Sequence, residues 1–201
     1  GKAIAFVKAL NTAYELAIPN LTELFPHGRT AVVIDSSGSM SSPIRLANKN
    51  YGSEAAIEKA ALIAATLAKG INADVFHFAN SCEQIKFNPL DTVNTLKNQF
   101  LNKQGSVGYG TEFDSIFRKI GQKYDRIFVI SDMQGADQLQ RSTYANIHIY
   151  SVDITGYGTT MFKPGNRVYK IFGYSSDIYE LIKKVEIDPK ALIKEIEAIE
   201  I

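Results

Sequence analysis

Short runs of β-branched and aromatic residues alternate with segments of helical periodicity along most of this chain. Such runs predict strands, and segments with apolar residues three and four positions apart predict helices. Strands that alternate with helices favour a mostly parallel sheet, because right-handed crossovers place the helices on its faces. We therefore predict an α/β fold: a central, mostly parallel sheet covered by helices on both faces.

Six segments are predicted as strands, and EQIKF, which alternates polar and apolar residues, is the expected short antiparallel edge strand. The strands are RTAVVI at 29–34, ADVFHFA at 73–79, EQIKF at 83–87, DRIFVIS at 125–131, NIHIYSV at 146–152 and RVYKIF at 167–172. The predicted helices are 1–17, 54–69, 91–102, 112–121, 136–142, 175–185 and 190–201. We expect a helical extension at 1–28, the sheet domain at 29–187 and a C-terminal helix at 188–201.

Bulk properties exclude several classes of protein. The formal net charge is +1, so no strong overall field attracts nucleic acid or membranes. No apolar run approaches the roughly 20 residues of a membrane span, and we expect no membrane association. The single cysteine, Cys82, cannot form an internal disulfide, which favours a reducing compartment, and we expect the cytoplasm.

Aspartates follow three of the predicted parallel strands. Asp35, Asp132 and Asp153 all stand at strand exits. Ligands of open α/β sheets bind beyond the carboxyl ends of the strands, so position alone makes these residues candidates.

The stretch VVIDSSGSM at 32–40 places an aspartate and two serines at alternate positions directly after a buried strand. Asp35, Ser37 and Ser39 offer three oxygen ligands from one tight loop, and Gly38 allows the chain to bend between the serines. Hard divalent cations take oxygen ligands, and Mg²⁺ takes about six. The cluster therefore predicts a cation site.

Two further oxygen-bearing side chains lie in other expected loops. Thr111 follows GYG, where the backbone adopts unusual angles, and Asp132 ends the strand DRIFVIS. With the first cluster they give two carboxylates and three hydroxyls. Two carboxylates just neutralise a dication, so the remaining position is expected to accept water or an acidic group of a partner protein. We expect Mg²⁺, with Mn²⁺ and Ca²⁺ as alternatives.

The stretch DSSGSM resembles the D-x-S-x-S motif of von Willebrand factor A domains, whose metal-ion-dependent adhesion site (MIDAS) uses these residue types. The later threonine and aspartate of that family fall, in chain order, on Thr111 and Asp132. The resemblance implies a von Willebrand factor A fold for 29–187 and a function in metal-dependent partner binding.

A narrower resemblance covers most of the chain. LNTAYELAIPNL, VISDMQ and ITGYGTTMFKPGNRVYKIFGYSSDIYELI are similar to the C-terminal A domain of TROVE-module proteins, the Ro-type ribonucleoproteins. In that family a ring of helical repeats binds small non-coding or misfolded RNA. The resemblance implies that the parent protein binds such RNA, and that 1–28 is a connection to the ring.

Each proposed ligand has a structural alternative. Asp35 is also compatible with a simple turn, and the hydroxyls of Ser37 and Ser39 with bonds to nearby amides, but metal ligation is the preferred interpretation of all three. Thr111 and Asp132 are alternatively caps of the helices that follow. Thr159, in the second GYGT, is the rival to Thr111, and Asp153 is more compatible with a structural turn.

Catalysis and nucleotide binding find little support. His77 and His148 lie within predicted strands, where packing explains them best. No Ser-His-Asp arrangement, nucleophile elbow or phosphate-binding loop is evident, so we predict that the protein is not an enzyme. The alternative function is direct RNA contact by the loops around the metal site. Its candidate residues are Arg45, Lys49, Tyr109 and Lys163.

Overall fold

The computed structural model describes residues 27–42, 55–136, 138–156 and 158–173, together with 5, 12, 25, 182, 184 and 186–188. Most of the predicted helices at 1–17 and 175–185, and the whole of the one at 190–201, lie outside these residues.

The described residues form one six-stranded sheet in the order β3-β2-β1-β4-β5-β6. The strands are β1 Thr30–Asp35, β2 Asp74–Phe78, β3 Cys82–Ile85, β4 Arg126–Ser131, β5 His148–Asp153 and β6 Val168–Phe172. All neighbours run parallel except β3, which pairs antiparallel with β2 at the edge. The predicted fold class and the antiparallel edge strand are confirmed.

Strand order reverses at the centre of the sheet. From β1 the chain moves to β2 and β3 on one side, and then returns to β4, β5 and β6 on the other side. The crevice at the carboxyl ends of β1 and β4 is therefore the topological switch point, where open α/β sheets bind their ligands.

Three of the predicted helices form close to their expected bounds. They are α1 Ala56–Gly70, α2 Val93–Leu101 and α3 Asp114–Ile120. Thr92 caps α2 by accepting a hydrogen bond from the Thr95 amide through its side chain. None of the described helices is long and apolar enough to cross a membrane.

The predicted helix at 136–142 is wrong. Leu139 instead donates its amide hydrogen bond to the Met161 carbonyl at 2.9 Å and forms a parallel bridge with Phe162. Only a 3₁₀ turn, Arg141–Tyr144, follows. Pairing with a distant segment satisfies the backbone here, so the local helical pattern does not decide the conformation.

Alternate residues of the central strands supply two apolar cores. Val32 and Ile34 face the core beneath α1 and α2, whereas Ala31 and Val33 face the core beneath α3. All six residues of β1 and all six of β4 are buried. Burial on both faces explains why these strands read as continuous apolar runs.

Candidate metal centre

Asp35 is the last residue of β1 and is completely buried. Its Oδ1 accepts a hydrogen bond from the Ser37 amide at 2.9 Å, and its Oδ2 accepts one from Ser131 Oγ at 2.5 Å. Within the described part of the chain, no lysine, arginine or histidine pairs with this carboxylate. Burial, reinforced by the charge of Asp132, outweighs these hydrogen bonds and raises the pKa of Asp35 to about 6.

The two serines of the motif lie where the chain turns away from β1. A short 3₁₀ helix, Gly38–Ser41, follows Ser37 directly, so the segment tightens instead of continuing as an extended strand. This turn brings Ser37 Oγ to within 3.2 Å of Ser39 Oγ. Ser37 is buried and Ser39 is half-buried. The two hydroxyls therefore form a pair next to the Asp35 loop.

Asp132 follows the last residue of β4, the strand that pairs with β1, and is buried. Its Oδ1 accepts a hydrogen bond from the Gln134 amide at 3.2 Å. No helix begins here, so the alternative of helix capping is wrong for this residue. The carboxylate instead closes a turn, which is an ordinary use of aspartate.

The backbone after Asp132 is held in an unusual conformation. Met133 has a φ of 56° although it carries a side chain, which costs conformational energy. Its amide donates to Ser131 Oγ at 2.8 Å, and its carbonyl accepts from Thr159 Oγ1 at 3.1 Å. These two bonds fix the turn that carries Asp132.

Thr111 is half-buried in the loop that precedes α3. Helix α3 begins at Asp114 and its N-cap is Phe113, so the alternative in which Thr111 caps this helix is wrong. Thr111 lines an open cavity of about 330 Å³ together with residues of the 136–143 segment.

The GYG before Thr111 is shaped by Asn80, which follows β2. Asn80 Oδ1 accepts hydrogen bonds from the Tyr109 and Gly110 amides, both at 3.0 Å. Gly108 has a φ of 95°, and a Cβ there would lie only 2.0 Å from Asn80 Oδ1. Glycine is therefore required at 108 for both conformation and space.

One backbone contact joins the Thr111 loop to the serine loop. The Gly38 amide donates to the Tyr109 carbonyl at 2.9 Å. Because Gly38 stands between the two serines and Tyr109 stands two residues before Thr111, both loops meet at the same edge of the sheet. Asp35, Ser37, Ser39 and Asp132 thus stand at the carboxyl ends of β1 and β4. The loop of Thr111, between α2 and α3, packs beside the carboxyl end of β2.

The donor set fits a hard cation. It contains two carboxylates and three hydroxyls, all of them oxygen ligands. The described residues include no cluster of three or more histidine, cysteine, aspartate or glutamate side chains that suits a metal. Hydroxyl groups and water would have to complete the coordination, as the sequence also implied.

The second GYGT does not resemble the first in its role. Asp153 is buried, and its carboxylate accepts hydrogen bonds from the Thr155, Gly156 and Gly158 amides at 3.0, 2.8 and 3.0 Å. It therefore organises its own loop, as the structural-turn interpretation predicted. The Thr159 hydroxyl donates to the Met133 carbonyl and so supports the Asp132 turn.

The residues predicted to contact RNA are not brought together among the described residues. Arg45 and Lys49 lie outside the described ranges. Tyr109 is 70% exposed beside the serine loop. Lys163 lies on a different loop, where its Nζ donates to Gln140 Oε1 at 3.3 Å.

Two supporting residues were missed by the sequence interpretation, namely Ser131 and Asn80. Ser131 was the easier of the two to predict, because the parallel pairing of Ile34 with Ile130 places Asp35 beside it. Nothing in the local sequence marks Asn80, because its partners lie 29 and 30 residues away.

No protein-family model and no curated protein matches the chain. Solved structures do match. The Ro (RSR) protein of Deinococcus radiodurans superposes with a TM-score of 0.63 at 16% identity, covering 88% of this chain and 37% of that one. An aerotolerance-related membrane protein from Bacteroides fragilis gives a TM-score of 0.54 at 15% identity, covering 78% of this chain and 96% of that one.

BatB from Bacteroides thetaiotaomicron, described as a conserved hypothetical protein, gives a TM-score of 0.53 at 12% identity, covering 86% of this chain and all of that one. At such identities the likeness concerns the fold. The chain spans little more than a third of the Deinococcus protein. Sheet order, the antiparallel edge strand and these neighbours together establish an α/β fold of the von Willebrand factor A type.

Proposed function

We propose that this domain binds an acidic group of a partner protein through a divalent cation, Mg²⁺ in the first instance. The cation would be held, directly or through water, by Asp35, Ser37, Ser39, Thr111 and Asp132. The observation that carries the proposal is the fully buried Asp35 carboxylate, which has no cationic partner among the described residues and stands at the topological switch point.

A buried carboxylate without a counter-ion is unfavourable unless its site serves a ligand. Burial in a low-dielectric interior penalises the charged form, which is why the pKa of Asp35 is raised. The hydrogen bonds from Ser37 and Ser131 only partly offset this penalty. A dication beside Asp35 and Asp132 would remove it, and the neighbouring serine hydroxyls would add neutral oxygen ligands.

The balance of charge favours an acidic partner. Two carboxylates neutralise a dication without giving the site a net negative charge, so a third carboxylate can still approach. The bound cation would supply a Lewis-acidic contact for that group. The residues of this chain would hold the cation and fix its position, because Asp35 and the Asp132 turn are both bound by Ser131.

Binding is favoured over catalysis by the surroundings of a serine–histidine pair found near the site among the described residues. Ser36 Oγ lies 3.4 Å from His77 Nδ1, but both residues are buried. Ser36 Oγ donates to the Phe78 carbonyl at 3.0 Å, so its proton is already engaged. This pair has neither the access nor the free hydroxyl that a nucleophile needs.

The same proposal treats the domain as one part of a longer, cytoplasmic RNA-associated protein. Support comes from the resemblance of its sequence segments to Ro-type A domains and from the superposition on about a third of the Deinococcus Ro protein.

The single cysteine, Cys82, is buried in β3, and burial raises the pKa of its thiol to about 12, which keeps it unreactive.

Calorimetric titration of Mg²⁺ into the 201-residue chain tests the proposal. We expect one site in the wild-type chain, abolished by Asp35→Ala and retained in Asp114→Asn, whose carboxylate is exposed and paired with Arg118. The Mg²⁺-loaded chain should then retain proteins whose binding is lost on chelation. RNA binding that falls steeply with salt and ignores chelation would instead support the loop–RNA alternative.

A further inference from the structure

Tyr109 is an exposed aromatic side chain placed directly beside the candidate metal centre. The residue is 70% exposed, and its carbonyl accepts the 2.9 Å hydrogen bond from Gly38, the residue between the two serines. The other large apolar side chains exposed among the described residues are Leu90, Phe172 and Ile187. Single exposed apolar residues are ordinary, so what matters at Tyr109 is how it is held.

The backbone of Tyr109 is fixed from both sides. Its amide and that of Gly110 donate to Asn80 Oδ1, which anchors the loop to the end of β2. Its carbonyl is bound by Gly38, and Gln104 Nε2 donates to Ser41 Oγ at 2.6 Å. The Tyr109 loop and the serine loop are therefore joined at two points.

The ring itself rests on Gly105. A Cβ at that position would lie 2.7 Å from Tyr109 Oη and 3.0 Å from the adjoining ring carbon. A side chain at 105 would therefore displace the ring from its position across its own loop. An exposed tyrosine with a fixed backbone and a supported ring loses little conformational entropy when a partner covers it, which is the property of an interface anchor.

The described loops around Tyr109 do not form a basic surface that would suit a polyphosphate ligand. The described loops 36–42, 79–81 and 102–113 contain one cation, Lys103, and one anion, Glu112. Asp35 and Asp132 add two carboxylates at the same edge. A phosphate backbone requires a surplus of cations, whereas a protein segment needs only the metal and an apolar contact.

We propose, building on the metal-dependent binding proposed above, that Tyr109 is the specificity-determining contact of this surface. Its ring packs against an apolar or aromatic side chain that lies within one or two residues of the partner's metal-binding carboxylate. The partner is therefore a protein segment in which an acidic residue and an apolar residue are close neighbours, and acidity alone is not sufficient.

A display library of randomised peptides that share one fixed aspartate tests this proposal. Selection on the Mg²⁺-loaded 201-residue chain should enrich apolar or aromatic residues within two positions of that aspartate. Tyr109→Ala should weaken the enriched peptides about tenfold or more, whereas Tyr109→Phe should bind as the wild type does. The matched control is Leu90→Ala, which removes an exposed apolar side chain in the segment between β3 and α2 and should change nothing.

Separate readouts distinguish the two proposals. Mg²⁺ titration of Tyr109→Ala should give the wild-type affinity, which shows that the metal centre is intact in this variant. The role of Tyr109 would be overturned by any of three results. These are enriched peptides that lack an apolar neighbour, no enrichment of any peptide, and binding by Tyr109→Ala as tight as that of the wild type. So would RNA that binds the wild type and not Tyr109→Ala. Absence of Mg²⁺ binding by the wild-type chain would instead overturn the metal centre itself.

Discussion

Ser131 Oγ donates a 2.5 Å hydrogen bond to Asp35 Oδ2 and so joins the carboxyl ends of β1 and β4 across the switch point of the sheet. The same oxygen accepts the Met133 amide at 2.8 Å. One hydroxyl therefore positions the first carboxylate of the candidate metal centre and the turn that carries the second. Neither role involves direct contact with a cation.

Ser131→Ala should weaken Mg²⁺ binding by about tenfold to a hundredfold, the usual effect of losing a residue that orients a ligand. It leaves the buried Met133 amide without its partner, so the free energy of unfolding should also fall by about 1–3 kcal/mol. Ser131 helps to lower the pKa of Asp35, and its loss should therefore shift the pH midpoint of Mg²⁺ binding upward.

Calorimetric titrations at several pH values would measure both effects of Ser131→Ala. Ser131→Thr, which retains the hydroxyl, should restore the wild-type pH midpoint. An unchanged midpoint in Ser131→Ala would contradict the positioning role, even if the variant were less stable.

Asp35→Asn should abolish Mg²⁺ binding and yet stabilise the metal-free chain at neutral pH, by on the order of 1 kcal/mol. The reason is that the substitution removes a buried charge that no cation compensates in the described structure. Urea unfolding in the presence of a chelator would measure the difference. A large loss of stability in Asp35→Asn would indicate that the carboxylate serves the fold and not a ligand.

The stability difference between Asp35→Asn and the wild type should depend on pH, because the pKa of Asp35 is raised. Burial raises the pKa of Asp35 from its usual 3.8 to about 6, so the folded chain binds a proton more tightly than the unfolded chain. The contribution of Asp35 to stability should therefore fall as pH rises from about 4 to about 6, and then stay level. Mg²⁺ affinity should rise over the same interval, because protons and the cation compete for the carboxylate.

Thr111→Val and Thr159→Val form a matched pair in the two GYGT segments. Thr111→Val should weaken Mg²⁺ binding by about tenfold or more, since it removes a proposed ligand without changing the shape of the side chain. Thr159→Val should mainly reduce stability, by about 1 kcal/mol, because its hydroxyl supports the Met133 carbonyl. Calorimetric titration and urea unfolding of both variants would measure these effects. If Thr159→Val instead weakened Mg²⁺ binding and Thr111→Val only reduced stability, Thr159 would be the ligand.

An ion pair between buried Arg126, at the amino end of β4, and half-buried Glu186 should affect stability alone. Glu186 accepts hydrogen bonds from Arg126 at 2.8 and 2.5 Å and from Tyr150 at 2.7 Å. Glu186→Gln leaves the Arg126 charge largely uncompensated, so the free energy of unfolding should fall by about 3 kcal/mol. Mg²⁺ affinity should remain that of the wild type. A parallel loss of Mg²⁺ binding would show that the amino and carboxyl ends of the strands are energetically coupled.

The acid sensitivity of this pair has the opposite sign to that of Asp35. Burial would raise the pKa of Glu186, but its bonds with Arg126 and Tyr150 outweigh burial and lower it below the usual 4.5. The stabilisation should therefore be complete above pH 4.5 and disappear as pH falls further. The free energy of unfolding of Glu186→Gln, measured across acidic pH, should lack this loss of stability below pH 4.5.

The fold was predictable because its determinants are local. The runs TAVVID and RIFVIS are buried on both faces, so apolar continuity alone marks β1 and β4 as central strands. The segment around Leu139 was not predictable in this way. The bridge to Phe162 depends on a partner that only the folded chain brings near.

The sequence marks the five candidate ligands, but it does not mark the residues that support them. Asp35, Ser37 and Ser39 share one short motif, and Asp132 stands at a strand exit, so sequence position alone makes them candidates. Ser131 acquires its role from the register of β1 with β4, and Asn80 acquires its role from a loop about 30 residues later. Such roles depend on long-range geometry, which periodicity and motif spacing do not encode.

The most direct test of the metal centre is anomalous scattering from crystals of the 201-residue chain soaked in Mn²⁺. We predict one strong peak among the side-chain oxygens of Asp35, Ser37, Ser39, Thr111 and Asp132, and no such peak in crystals of Asp35→Ala. A wild-type crystal without a peak there, or with its peak in the Asp153 loop instead, would contradict the proposed centre.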